Sequence, residues 1–162
     1  VELKFAPQTP QHMKQFFLAL FILVGIGASA QTASPVSWSY SSKKLAENLY
    51  EVYLTATIQP GWHLYAQAQP ADAIAQPTTF NFTRNPLLQF DGKVREIGKL
   101  EKFHDAKLDV SANQYSGKVQ FVQKVKVMGK AKTAVTGKLE FQTCDDEKCL
   151  PPKTVNFAVA LK

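Results

Sequence analysis

The sequence is short of most residues that build reactive sites: two cysteines, three histidines, two methionines and two tryptophans in 162 residues. Two cysteines allow at most one disulfide, so a dense framework of bridges is excluded as the basis of the fold. Internal repeats and low-complexity tracts are absent, and 45% hydrophobic with 20% charged residues is ordinary globular composition. Length then argues for one domain that can bury its own core without staples. No apolar run reaches the ~20 residues of a membrane-spanning helix. No convincing amphipathic helical period runs along the chain, which argues against helical bundles and alternating α/β folds. Charge of one sign is not concentrated in any one stretch. The lysines between Lys93 and Lys138 are spread among alternating segments, as on solvated strand faces and protected edges. Nucleic-acid binding, which needs a basic face with stacking aromatics, is therefore not expected.

What is present begins with an export pattern. Met13-Lys14 opens a short basic region, Phe16 to Ile26 is apolar except for Gly25, and Ala28-Ser29-Ala30 is a small-x-small cleavage pattern. This is the layout of a cleavable secretory signal. Residues 1–12 precede a natural start methionine and are read as an upstream extension that is not native. Residues 13–30 are read as the signal peptide and 31–162 as the exported domain. Residues 1–30 carry Lys4 and Lys14 against Glu2, which leaves +5 of the total +6 on the exported part. A periplasmic location without stable membrane insertion after cleavage is expected.

Short segments with apolar residues at every second position recur between turn signals. Tyr50–Ile58 ends at Pro60-Gly61, Trp62–Tyr65 is brief, and Thr78–Phe82 ends near Asn85-Pro86. Asp91-Gly92 is read as a turn before Lys93–Leu100. Ser116-Gly117 precedes Lys118–Val127, Gly129 and Gly137 bracket a further turn region, and Lys138–Gln142 and Thr154–Leu161 alternate again. Such alternation means one buried and one wet face. Many such strands at short spacing predict an all-β fold, an immunoglobulin-like antiparallel β-sandwich, with a jelly roll as the other option. Gln67–Pro77 is expected to be a long surface loop, and only Ser42–Leu49 suggests a short helix.

The cysteines lie in Thr143-Cys144-Asp145-Asp146-Glu147-Lys148-Cys149-Leu150-Pro151-Pro152. In an exported protein a disulfide between them is the default. Closing a six-residue loop stabilises a fold by only ~2 kcal/mol, against nearly 5 for a 100-residue loop. As a staple the bond is weak, while a loop end with polar residues between the sulfurs suits attack by a partner's thiolate. Asp145, Asp146 and Glu147 disfavour a thiolate nearby, which makes the pair a better electron donor, and Lys148 opposes this in part. Position alone leaves an exchange-active pair and an inert short-loop bridge both open. Two thiolates with His63 or His104 are a third, metal-binding option, but no histidine is near the pair in sequence and CxxxxC is a poor metal signature. A strand position beside Trp62 for His63, and a loop position beside Asp105 for His104, account for both. No metal and no cofactor is expected.

Three stretches resemble the N-terminal periplasmic domain of the thiol:disulfide interchange protein DsbD. They are Pro60–Gln67, with its glycine-aromatic-x-Leu-Tyr segment; Tyr115–Val127, similar to a long central strand; and Phe141–Phe157, similar to a cysteine hairpin followed by a diproline strand. The resemblance covers nearly all of Ser34–Lys162. It implies an immunoglobulin-like fold and an interchange component with protein-disulfide reductase activity. Electrons would come from a membrane-embedded thiol reductase or its thioredoxin-like domain. They would pass to periplasmic thioredoxin-like proteins, disulfide isomerases or cytochrome-maturation proteins. Cys144 and Cys149 are then the exchanging pair, Cys149 being the one that forms the mixed disulfide. The family's aromatic cap maps within Lys102–Leu108, with Phe103 as its candidate and a plain core role as the alternative. His63, Tyr65, Asp145, Asp146, Glu147 and Pro151 are candidates to line the site. Many family members have five residues between the cysteines, and this sequence has four. The chain is expected to be a carrier module whose donor is another polypeptide, or a module put to another use. The reading from a different class is a non-catalytic sandwich that binds a protein or metal partner and carries a structural disulfide.

Overall fold

A computed structural model describes Glu2, residues 34–130 and residues 132–162. The expected extension over 1–12, the signal peptide over 13–30 and the cleavage point before Gln31 lie outside the described residues, Glu2 excepted. In chain order the strands are β1 (Val36–Ala46), β2 (Leu49–Ile58), β3 (His63–Tyr65), β4 (Thr79–Phe82), β5 (Leu88–Ile97) and β6 (Glu101–Asp105), then β7 (Val110–Tyr115), β8 (Lys118–Val127), β9 (Ala134–Phe141), β10 (Thr143–Cys144) and β11 (Lys153–Ala160). No helix occurs among the described residues.

The strands pair antiparallel in three sheets, ordered β1-β2-β8-β5, β11-β9-β4 and β10-β3-β7-β6. The first two face each other as an immunoglobulin-like sandwich. Alternation is the cause: in β9, Val135, Leu139 and Phe141 point inward while Thr136, Lys138 and Glu140 point out. In β2 the inward set is Val52, Leu54, Ala56 and Ile58. Aromatic rings join the two layers. Trp38 of β1 lies 5.4 Å from Phe141 of β9, and Phe80 of β4 lies 4.9 Å from Phe121 of β8. Full burial of one side chain such as Leu54 or Phe121 stabilises by ~1.5–3 kcal/mol, comparable to the whole short-loop disulfide. The core therefore does not depend on that bond. The third sheet attaches at one end through Leu64 and Tyr115, both buried in the common core, and it carries the cysteines.

Several local expectations are corrected. Ser42–Leu49 is not a helix: β1 runs through Ala46, with Ser42 opposite Val52 and Lys44 opposite Tyr50. The turn that follows uses Asn48 at φ 61°, a conformation asparagine tolerates. Asp91-Gly92 is not a terminal turn but a bulge inside β5. The register jumps there from Asp91 opposite Lys124 to Arg95 opposite Val122. Gly92 takes φ 69°, and the buried Gln123 amide donates to the Asp91 carbonyl at 3.1 Å, satisfying a backbone group the bulge leaves free. Gly137 marks no turn and sits mid-strand. A Cβ there would lie 2.5 Å from the Asn81 carbonyl oxygen and 2.7 Å from Phe157 Cζ, so close packing, not chain reversal, requires glycine. His104 is in strand β6 rather than a loop.

Candidate redox site

Cys144 and Cys149 are joined by a disulfide, with their Cα atoms 4.0 Å apart. The bond closes a tight hairpin that the backbone also holds. Asp145 N donates to the Lys148 carbonyl at 2.9 Å and Leu150 N to the Thr143 carbonyl at 2.9 Å. Asp145 shapes the tip. Its Oδ1 accepts the amides of Glu147 at 2.9 Å and Lys148 at 2.7 Å. Those two hydrogen bonds, followed by the charge of Lys148, hold its carboxyl below the ordinary 3.8. Gln142 pins the base: Nε2 donates to the Leu150 carbonyl, and Oε1 accepts Gln76 N at 2.8 Å from the long loop.

The two sulfurs are not equivalent. Cys144 belongs to β10, opposite His63 of β3. It is 3% exposed, packed with Tyr65 and Ala112. Cys149 is exposed. Burial of Tyr65 pushes its phenol pKa upward. A thiolate arriving from solvent therefore meets Cys149 first, and Cys144 is the sulfur that leaves into an apolar setting. Burial and nearby carboxylates both disfavour that leaving thiolate.

The pair opens on a groove of about 760 Å³ lined by His63, Tyr65, Phe103, Asp105, Leu108 and the 144–149 hairpin, with Ile74 and Ala75 on one side. The sequence candidates His63, Tyr65, Phe103, Asp145, Asp146 and Glu147 all reach this groove, whereas Pro151 lies outside its lining. His63 Nε2 is 3.4 Å from Asp146 Oδ1, and its Nδ1 is 3.1 Å from Ser116 Oγ, so the histidine ties the hairpin to the β7–β8 turn. Phe103 is 48% exposed, which removes the plain core role and leaves its ring on the groove wall. Sequence reasoning missed Ile74, 79% exposed, and took Leu108, 68% exposed, only as the end of the expected cap segment. Ile74 lies between two alanines and Leu108 between Lys107 and Asp109, each a lone large apolar residue in a loop that period-two counting passes over. It missed Gln142 too, whose place at the end of an alternating strand gave no sign of the two contacts it makes.

The Gln67–Pro77 segment is a loop as expected, but it is strapped down. Gln69 Nε2 donates to the Asn113 carbonyl at 2.7 Å, and Asn113 N donates to Gln69 Oε1 at 3.0 Å. Gln67 N donates to Glu96 Oε1 at 2.7 Å. The strapping fixes Ile74 and Ala75 beside the hairpin. Among the described residues, no three of His, Cys, Asp or Glu are grouped to hold a metal ion. Four carboxylates, of Asp105, Asp145, Asp146 and Glu147, line the groove against Lys148 and His63. The arrangement can take part in thiol:disulfide exchange at one reachable sulfur, beside an apolar and acidic docking surface.

Comparison with known proteins agrees. Residues 35–161 match the family described as thiol:disulfide interchange protein DsbD, N-terminal. The DsbD N-terminal domain of Neisseria meningitidis in its reduced form is similar in structure, with TM-score 0.50 and 18% identity over 76% of this chain and 84% of that one. The N-terminal periplasmic domain of ScsB from Proteus mirabilis has TM-score 0.49 and 15% identity over 78% of this chain and 44% of that one. At 18% identity the likeness to the Neisseria meningitidis domain speaks for the fold alone. No curated protein matches the sequence significantly.

Proposed function

The chain belongs to the family of DsbD N-terminal domains, thiol:disulfide exchange modules, and from that premise we propose that it relays an electron pair in the periplasm through Cys144 and Cys149. The observation that carries this role is the asymmetry of the pair, a buried Cys144 bonded to an exposed Cys149 on an open groove. In the first step a thiolate of the donor attacks Cys149 Sγ. The intramolecular bond breaks, Cys144 leaves as thiolate and takes a proton, and a mixed disulfide forms. The donor's second thiol then attacks its own sulfur in that mixed disulfide and releases Cys149. Donor dithiol has become disulfide, and the module holds two thiols. The same steps in reverse reduce a partner's disulfide.

The donor is a membrane-embedded thiol reductase or its thioredoxin-like domain, and the acceptors are periplasmic thioredoxin-like or isomerase proteins. The groove supports this class of partner: Phe103, Leu108 and Ile74 offer apolar contact, and the carboxylates favour a partner with cations around its cysteines. Phe103 shields the pair between encounters. Residues 31–162 form the exported module after removal of 13–30, and N-terminal sequencing of exported protein should begin at or near Gln31. An intact apolar segment there would refute the processing.

Trapping tests the relay. A Cys144→Ser variant should form mixed disulfides with thioredoxin-like partners, and Cys149→Ser far fewer. The pair's potential should lie nearer thioredoxin's roughly −270 mV than the ~−120 mV of a strong periplasmic oxidant. A potential well below about −300 mV, with no partner trapped by either variant, would reduce the bond to a structural bridge in a binding module.

A further inference from the structure

The end of the sandwich opposite the cysteines is as distinctive as the redox end. There the β1–β2 turn, the β8–β9 connection, the start of β5 and the end of β11 come together. Asn48 O accepts Val127 N at 2.7 Å, Leu87 O accepts Met128 N at 2.8 Å, and Leu161 N donates to Thr133 O at 3.1 Å. This end carries Lys44, Arg84, Lys126, Lys130, Lys132 and Lys162 against Glu47, while Lys43 stands opposite Glu51 in the β1–β2 ladder. Since residues 31–162 total +5, the rest of the domain is close to neutral. The ion pairs among the described residues are Arg95–Glu51 and His63–Asp146, so none of these cations is neutralised by one. Lysines that are scattered along the sequence are gathered by the fold.

Two further observations point to the kind of surface this end meets. Lys44, Lys130 and Lys132 outnumber Glu47 in one recess of about 250 Å³ that Tyr50, Val127 and Leu161 also line. At the same end, large apolar side chains stand out in solvent: Leu45 is 42% exposed, Leu87 36% and Met128 49%. Apolar tips and cations outside any ion pair thus share one end, with Lys44 Nζ 6.0 Å from the centroid of the Tyr50 ring. A bilayer interface offers both complements, phosphates for the ammonium groups and the acyl boundary for the tips. A nucleic acid would match the charge but not the apolar tips, and no aromatic is among the protruding residues.

We propose that this end is a docking face for an anionic phospholipid surface, with Lys44, Lys130 and Lys132 on headgroup phosphates and Leu45, Leu87 and Met128 entering the interface. Contact is peripheral, without insertion of any strand. It holds the cysteine groove at the far end, facing away from the lipid. The proposal stands independently of the relay proposed above, since it uses none of the same residues.

Vesicle flotation tests it, using the chain from Gln31. Among the described residues the buried core runs from Val36 to Val159, and this form avoids the apolar 16–26 segment, which would bind lipid by itself. Vesicles of phosphatidylglycerol and phosphatidylcholine in equal parts should carry the protein at low salt, and pure phosphatidylcholine should not. Removing one cation near an anionic surface weakens binding about fivefold. The Lys130→Glu/Lys132→Glu variant should therefore lose at least about 25-fold, and Met128→Ser a smaller but measurable amount. Lys118→Glu/Lys153→Glu makes the same change of net charge at the cysteine end and should bind nearly as wild type. Circular dichroism and an intact disulfide establish folding for each variant. Absence of binding to anionic vesicles overturns the proposal. So does an equal loss in both charge variants, which would mean net charge alone, or binding to duplex DNA or an acidic peptide where vesicles fail.

Discussion

Replacing both cysteines by alanine should leave a folded domain weakened by about 2 kcal/mol. Alanine is the better probe, because serine would place a hydroxyl at the 3% exposed position of Cys144 and add its own desolvation cost. The magnitude follows from the sequence separation of 5 between Cys144 and Cys149, since so short a loop has little entropy to remove from the unfolded chain. The hairpin also has other bonds: the Asp145–Lys148 and Leu150–Thr143 backbone pairs, the Asp145 cap and the Gln142 contact all survive the substitution. By the thermodynamic cycle, the same ~2 kcal/mol places the folded pair's potential only ~45 mV below that of the pair in the unfolded chain, at 30 mV per 1.4 kcal/mol. Urea unfolding of oxidised, reduced and alanine forms measures the stability difference. Thiol buffers with and without denaturant measure the potential difference. The two numbers must agree. A loss above about 4 kcal/mol, or an alanine variant that does not fold, would refute the claim that the bond is dispensable to the fold.

Asp145 gives a pH-dependent test. Its carboxyl pKa is depressed in the fold by the Glu147 and Lys148 amides, so its contribution is present above the ordinary 3.8 and lost as pH falls through the lower folded value. An NMR titration of Asp145 with those two amides should share one midpoint below 3.8, and a midpoint at or above it would remove the cap from the account. Phe103→Ala should speed reduction of the disulfide by a small thiol several-fold with little change in stability, because the ring is half exposed and lines the groove. An unchanged rate would end its role as a shield.

The sandwich was legible wherever alternation is undisturbed. Tyr50–Ile58 and Lys118–Val127 are β2 and β8 almost to the residue, because one face of each meets the core directly. Legibility failed where a neighbour decides the local outcome. Ser42–Leu49 has no strong period of its own, and it is strand because β2 offers it a ladder partner at every position from Ser42 to Lys44. Gly92 and Gly137 are both turn signals in isolation. One is a bulge whose carbonyl needs the side chain of Gln123 from another strand, and the other is a gap filled by the Phe157 ring. Neither partner can be inferred from the residues beside the glycine.

The site divides along the same line. The cysteine pair was legible because its whole chemistry lies within ten consecutive residues, and Asp145, Asp146 and Glu147 come with it. Cys149 as the exchanging sulfur came with the family resemblance, whereas the burial of Cys144 by Tyr65 and Ala112, from β3 and β7, lies outside those ten residues. The acidic run also changes its meaning in three dimensions. Read linearly, it acts on the sulfurs as one block of negative charge. In the fold its members separate: Asp145 turns inward onto backbone amides, Asp146 is 91% exposed and reaches His63, and Glu147 faces the solvent side of the groove. One carboxylate therefore builds the hairpin, one ties it to β3, and Asp105 of β6 joins all three on the groove wall. A charge-reversal at Glu147 should consequently act on partner association with little effect on the hairpin, whereas loss of Asp145 acts on the hairpin first.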